Sequence, residues 1–142
     1  MPTFVMFDEA MLNIGKGLID LDSNVFKAML SNVAPAQAVD DEKADITEIA
    51  AGNGYTATGV ALTCTWVETG AGTGVWRFDS DDPSWTASGG AIATHQYLVV
   101  FDDTSTGDKL LGYVDRGASA TIPDGTTRTW TVAGGLFEIT VP

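Results

Sequence analysis

Histidine and cysteine are almost missing from this sequence: His95 and Cys64 are the sole imidazole and thiol in 142 residues. A single thiol excludes an intrachain disulfide. One histidine and one cysteine cannot supply the three or four nitrogen and sulfur ligands of a zinc centre. A Cys–His nucleophile pair would have to be made from these two residues alone. Cys64 stands in the alternating run Leu62-Thr63-Cys64-Thr65-Trp66 and is expected to point into the core as a small hydrophobe. His95, in "ATHQY", is expected to be an exposed or hydrogen-bonded strand histidine.

Positive charge is also scarce. Seven Lys and Arg face 19 Asp and Glu, a formal charge of −12. Nucleic-acid affinity rests mainly on cationic side chains that displace counterions, so a duplex or an anionic lipid surface repels such a chain. Neither nucleic acid nor membrane is an expected partner, whereas a basic protein surface is. Long apolar runs are missing too. No stretch approaches 18 residues, so no membrane-spanning helix is expected. Asp8, Glu9, Lys16 and Asp20 interrupt the first 21 residues, which do not read as a secretory signal. Production in the cytosol, with use there or release by lysis, is the expectation.

What is present is apolar content of 44 %, enough for one domain with a real core over residues 1–142. Phe4, Phe7, Met11, Leu12, Ile14 and Leu18 recur at steps of three and four. This spacing predicts a short amphipathic helix over 4–18, capped by Thr3, with Asp8 and Glu9 near its positive end. Residues 1–20 then form an N-terminal helix or arm, and 31–45 a long polar loop. Met6, Met11, Leu12 and Leu18 are too many apolar residues for a free surface helix, which must pack on the body or on a partner.

Beyond residue 59 almost everything alternates with period two. Strands are predicted over 25–30, 60–67, 75–79, 91–101 and 110–115. Leu98, Val99, Val100 and Phe101 are apolar on both faces, which predicts a central strand. The runs "TTRTWTV" and "LFEITV", split by Gly134 and Gly135, read as a final hairpin. The predicted core includes Phe26, Leu62, Trp76, Leu98, Val100, Tyr113, Trp130, Phe137 and Ile139. The fold class is mainly β: an antiparallel β-sandwich, jelly-roll-like, with a short N-terminal α-helix.

Carboxylates cluster at 40–42, at 79–82, and at Asp102 and Asp103 with Asp108. Oxygen-rich loops can hold calcium, but Val114 stands where an EF-hand needs its bidentate Glu, so solvated turn residues are expected at all three. Trp66, Trp76 and Trp85 could line a sugar cleft between two carboxylates, although Trp66 and Trp76 fit a sandwich core. "GAGTG" at 70–74 lacks the Lys-Ser/Thr ending of a P-loop and reads as a hairpin turn. The residues therefore point to no catalytic group, no metal and no cofactor. In "ADITEIAAGNGYTATGVAL", 44–62, Asp45 and Glu48 have no His, Cys or Lys nearby in sequence. Its glycines are expected to form a sharp, close-packed turn that delivers Val60 into the sheet.

Larger pieces carry a resemblance. After the N-terminal stripe come "LIDLDSNVFKAMLSN" with "AP" just beyond it, "ADITEIAAGNGYTATGVALT", "DDPSWTASGGAIATHQYLVVFDDTSTGDKLLGYVDRGASATIPDGTTRTW" and "GLFEIT". With "EIAAGNGYT…GVAL", "WTASGG" and "LLGY" as its more specific parts, the chain resembles a family of small virion structural proteins of tailed bacteriophages, often encoded near the major capsid protein. The resemblance implies a virion component, made in the host bacterial cytoplasm, without enzyme activity or cofactor. The expected role is a capsid decoration (cement) protein on the head exterior. Its expected partners are the major capsid protein and itself, as a homo-oligomer with a trimer favoured. The negative charge argues against an inner position lined with packaged DNA. A tail or head-fibre-base component is the alternative within the virion, and a carbohydrate-binding module on its surface is the alternative of another class. Phe4, Phe7, Met11, Leu12 and Leu18 are the candidate interface, unless the helix belongs to the protein's own core.

Overall fold

Leu98, Val99, Val100 and Phe101 are all buried, so both faces of their strand are covered. That strand is the middle one of a five-stranded sheet. The computed structural model describes residues 3–132 and 135–142. In chain order it contains β1 (Phe4–Met6), α1 (Asp8–Gly15), β2 (Phe26–Ser31), a 3-10 turn (Lys43–Asp45), β3 (Val60–Leu62), β4 (Cys64–Glu68), β5 (Val75–Ser80) and β6 (Ser84–Thr86). There follow β7 (Ile92–Asp102), β8 (Leu110–Ile122), β9 (Thr127–Thr129) and β10 (Phe137–Thr140). The large sheet has the order β1-β8-β7-β2-β3, a smaller one β10-β5-β4, and β6 pairs with β9 as a ribbon. Every pairing is antiparallel. The chain is thus mainly β, consistent with the expected sandwich and its one short helix near the N-terminus.

Aromatic side chains join the sheets. Phe26 of β2 meets Phe78 of β5 edge-on, with ring centres 5.0 Å apart. Phe137 of β10 lies 5.4 Å from Phe78 and 6.2 Å from Phe4. Phe26 and Phe78 are fully buried, and burying such a side chain contributes roughly 1.5–3 kcal/mol.

Four expectations change. The helical stripe over 4–18 divides: Phe4, Val5 and Met6 pair with Val114, Tyr113 and Gly112 at the edge of the large sheet, and the helix begins only at Asp8. Phe7, not Thr3, occupies the N-cap, without a side-chain cap. A run of four apolar residues fits strand as well as helix, and the free edge of β8 decides. The predicted strand 60–67 breaks at Thr63, a corner between the two sheets fastened by Thr63 N donating to Asp81 Oδ1 and Asp81 N to the Thr63 carbonyl. The last two strands do not form a hairpin, since β9 pairs with β6 and β10 with β5. Of the glycine pair expected between them, Gly134 lies outside the described residues.

Finally, Trp76 is exposed rather than core, and Tyr113, Phe137 and Ile139 are only partly covered. Phe26, Leu62, Leu98, Val100 and Trp130 are buried as predicted. The 31–45 segment is clipped to the body. Gln37 accepts from Asp8 N and donates through Nε2 to the Met6 carbonyl, and Asn13 Nδ2 donates to Asp41.

Candidate functional site

The two carboxylates of 44–62 are both occupied with holding the fold. Asp45 Oδ2 accepts from the amides of Asp41 and Glu42, which hold its pKa below the usual carboxylate value. Glu48 Oε1 accepts from the Tyr55 hydroxyl at 2.7 Å and the Thr58 amide at 2.6 Å. The same hydroxyl accepts from the Leu30 amide of β2, at 3.0 Å. Burial pushes the Tyr55 pKa up strongly, so it remains a neutral donor. Gly59 then has to be glycine. Its φ is +72°, and a Cβ there would stand 1.8 Å from the Ala28 carbonyl oxygen. The close-packed turn into β3 is therefore present, and Asp45, Glu48 and the Tyr55 hydroxyl are hydrogen-bonded within the chain.

The other candidate groups are similarly engaged. Asp102 is buried on β7 and accepts from Asn24 Nδ2 and the amides of Thr104 and Ser105. Asp103 pairs with Lys27, Asp108 with Lys43, and Asp41 and Glu42 with Lys109. In the 79–82 loop, Asp79 accepts from the Ser80 amide, Asp81 from Thr63 and Asp82 from the Thr131 hydroxyl. Among the described residues no three His, Cys, Asp or Glu side chains converge as metal ligands would. Glu68 fastens the 70–74 turn by accepting from the amides of Gly72 and Gly74. Cys64 is half-buried, and burial, followed by the charges of Asp81 and Asp79, pushes its thiol up to about 12. A thiol so protonated is a poor nucleophile at neutral pH. His95 is fully buried, with Nδ1–H donating to the Ala93 carbonyl at 2.8 Å.

The candidate interface divides in two. Phe4 and Phe7 are 8 % and 1 % exposed, and their rings lie against Phe137 and Tyr113. They belong to the core and cannot be presented to a partner, so the segment from Phe4 to Gly15 is not a separable arm. Met11, Leu12 and Leu18 are 49 %, 47 % and 47 % exposed. The helix turns Ala10 and Asn13 inward, which places Met11 and Leu12 on its outer side.

A groove of about 320 Å³ opens beside them, lined by Ile14, Gly17, Ile19, Asp20, Leu21, Asp22, Trp66 and Ile139. Strand register explains it. Trp66, Phe78 and Phe137 form one row across β4, β5 and β10, and Phe26 meets Phe78 in that row. Two residues further along, Trp76 faces Glu68 and Ile139, and here 36 % of Trp76 remains exposed. Trp76 stacks on Trp66 with centres 5.8 Å apart. The apolar face of the small sheet therefore extends past its cover. At the groove's acidic side, the Ser23 hydroxyl and the Asp22 and Ser23 amides hold the Asp20 pKa low and keep its charge. Sequence periodicity identified Met11, Leu12 and Leu18. It placed Trp76 in the core, because alternation gives the face of a residue and not how far the opposing layer reaches.

No protein-family model, curated protein or solved structure matches this chain.

Proposed function

We propose that this chain is a non-enzymatic structural protein of a tailed-bacteriophage virion, a decoration protein that binds the major capsid protein on the head exterior. The sequence resemblance supplies the virion. The observation that supports a docking role is the half-exposed apolar surface of Met11, Leu12 and Leu18 close in sequence to a groove lined by Ile14, Trp66 and Ile139 and bordered by Asp20 and Asp22. Its occupant is a capsid subunit that offers an apolar anchor flanked by basic side chains, since a body of charge −12 steers basic surfaces toward it. A trimer at a local threefold of the capsid lattice is the arrangement this reading favours.

Mixing the protein with undecorated capsids tests it. Deleting residues 1–20 would remove β1 and two core phenylalanines, so Met11→Ser/Leu12→Ser/Leu18→Ser is the informative variant. Saturable binding by the native chain, weakened at least about tenfold in a triple variant of unchanged melting temperature, is the expected result. Absence of binding by the native chain removes the reading.

Trp66 in a groove with two aspartates, stacked on the partly exposed Trp76, favours a second reading, a saccharide-binding surface. Glycan binding that Trp76→Ala abolishes, with no capsid binding by the native chain, would replace the first reading by this one.

A further inference from the structure

We propose that Arg116 and Arg128 form a binding site for a small carboxylate, remote in sequence from the apolar groove and independent of the capsid reading. Lys27, Lys43, Arg77 and Lys109 all have carboxylate partners. The exposed Lys16 has none among the described residues, but it lines no pocket. Arg116 and Arg128 have none among the described residues, yet they line one concave pocket of about 400 Å³ together with Thr129, Trp130 and Thr131. That size lies in the range of small-ligand sites.

A distortion of the central sheet places Arg116 there. Tyr97 of β7 pairs with Asp115 of β8, but His95 pairs with Ala120. One residue of β7, Gln96, therefore lies opposite residues 116–119, a large bulge in which Gly117 has φ +84°. Bulges of this kind re-aim a side chain out of its sheet. The bulge is held in shape: Asp115 Oδ1 accepts from Gly117 N and Gln96 Nε2, and Ser119 Oγ donates to Asn32. The Arg116 guanidinium then lies 5.7 Å over the Trp130 ring.

Two donors here lack an acceptor among the described residues. Arg116 Nη1 and Trp130 Nε1 are shielded from solvent and unpartnered, and Trp130 is only 5 % exposed. Two guanidinium groups beside one pocket repel each other, and unsatisfied buried N–H groups add to the cost. An oxyanion between the arginines offsets their repulsion, and guanidinium forks match its geometry. The overall charge selects among oxyanions: a body of −12 opposes a doubly charged phosphate more than a singly charged carboxylate. Thr131 donates to Asp82 at the rim, which leaves Thr129 as the free hydroxyl to complete the contact.

The test is a titration of the 15N-labelled protein with acetate, glucuronate and inorganic phosphate against a chloride control. The four tryptophans give four indole N–H signals, and Trp130→Phe identifies the one of interest. Acetate or glucuronate should shift the Trp130 signal saturably. Arg128→Gln should weaken that binding about tenfold, while Lys16→Gln leaves it unchanged. No carboxylate-induced shift beyond chloride, equal affinity in the Arg128→Gln protein, or saturation by phosphate alone would overturn the proposal.

Discussion

The Tyr55 hydroxyl, the Leu30 amide and Glu48 meet one another, whereas Arg116 Nη1 and Trp130 Nε1 meet no partner among the described residues. Both neighbourhoods join distant parts of the chain next to the large sheet, and both put an aromatic ring beside polar groups. In the first, the Leu30 amide, the Tyr55 hydroxyl and Glu48 form a closed relay, so the cluster stabilises the chain by itself. In the second, Arg116 and Arg128 stand together without a counter-charge. A satisfied buried network adds rigidity, and an unsatisfied one costs free energy until something supplies the missing acceptor. Polar residues that look alike in sequence can thus serve the fold or stand ready for a ligand.

The largest expected effect is at Gly59. Alanine there combines a positive φ with a Cβ driven into the Ala28 carbonyl, so Gly59→Ala should destabilise by about 3 kcal/mol or more in urea unfolding. A loss below about 1 kcal/mol would show that the Tyr55 side of the comparison is far looser than its hydrogen bonds imply. Tyr55→Phe comes next. It deprives the Leu30 amide of its acceptor and Glu48 of a donor, at a cost of about 1–3 kcal/mol by the same measurement.

His95 belongs to the other neighbourhood, its ring 6.1 Å from that of Trp130. Burial, helped by the nearby Arg128 charge and opposed by the Ala93 hydrogen bond, holds its pKa below the ordinary 6.5. The unfolded chain therefore takes up a proton before the folded one does. The stability contributed by neutral His95 is complete above about pH 6.5 and is lost as pH falls from there toward the folded pKa. Melting temperature should drop more steeply between pH 7.5 and 5.5 for the native chain than for His95→Asn; parallel curves would refute the assignment. Asp45 and Asp20 act lower. Their depressed pKa values give stability that is present above 3.8 and lost as pH falls through the folded values.

The smallest effect is the most telling one. Arg128 has no ion pair among the described residues, so Arg128→Gln should change unfolding free energy by no more than about 0.5 kcal/mol. A large destabilisation would mean that Arg128 serves the fold as Tyr55 does, and the contrast between the two clusters would disappear.

Much of the architecture is legible in the sequence. Period-two alternation marked most strands, and four consecutive apolar residues marked β7 as central. Helical spacing puts Met11, Leu12 and Leu18 on one stripe, but α1 ends at Gly15 and Leu18 lies beyond it. Phe4 and Phe7 were misplaced because their spacing also fits that stripe, while an open sheet edge and two aromatic neighbours, Phe137 and Tyr113, draw them inward. The arginine pocket gave no local signal. Arg116 and Arg128 are isolated cations in unremarkable strands, and only the bulge opposite Gln96 and the ribbon of β6 with β9 bring them together.

The sequence by itself determined the strand periods, the short helix, the lack of any disulfide and the acidic surface. These are properties of composition or of neighbours a few residues apart. Only the tertiary structure decided which strands pair, where the small sheet outruns its cover, and which cations remain without a carboxylate. The physical reason is the same in each case. Alternation says that a strand has an apolar face, but nothing local to "TTRTWTV" distinguishes β6 from β10 as its partner. That choice is made by contacts across the whole chain, and the exposed tryptophan and the unpaired arginines are its consequences.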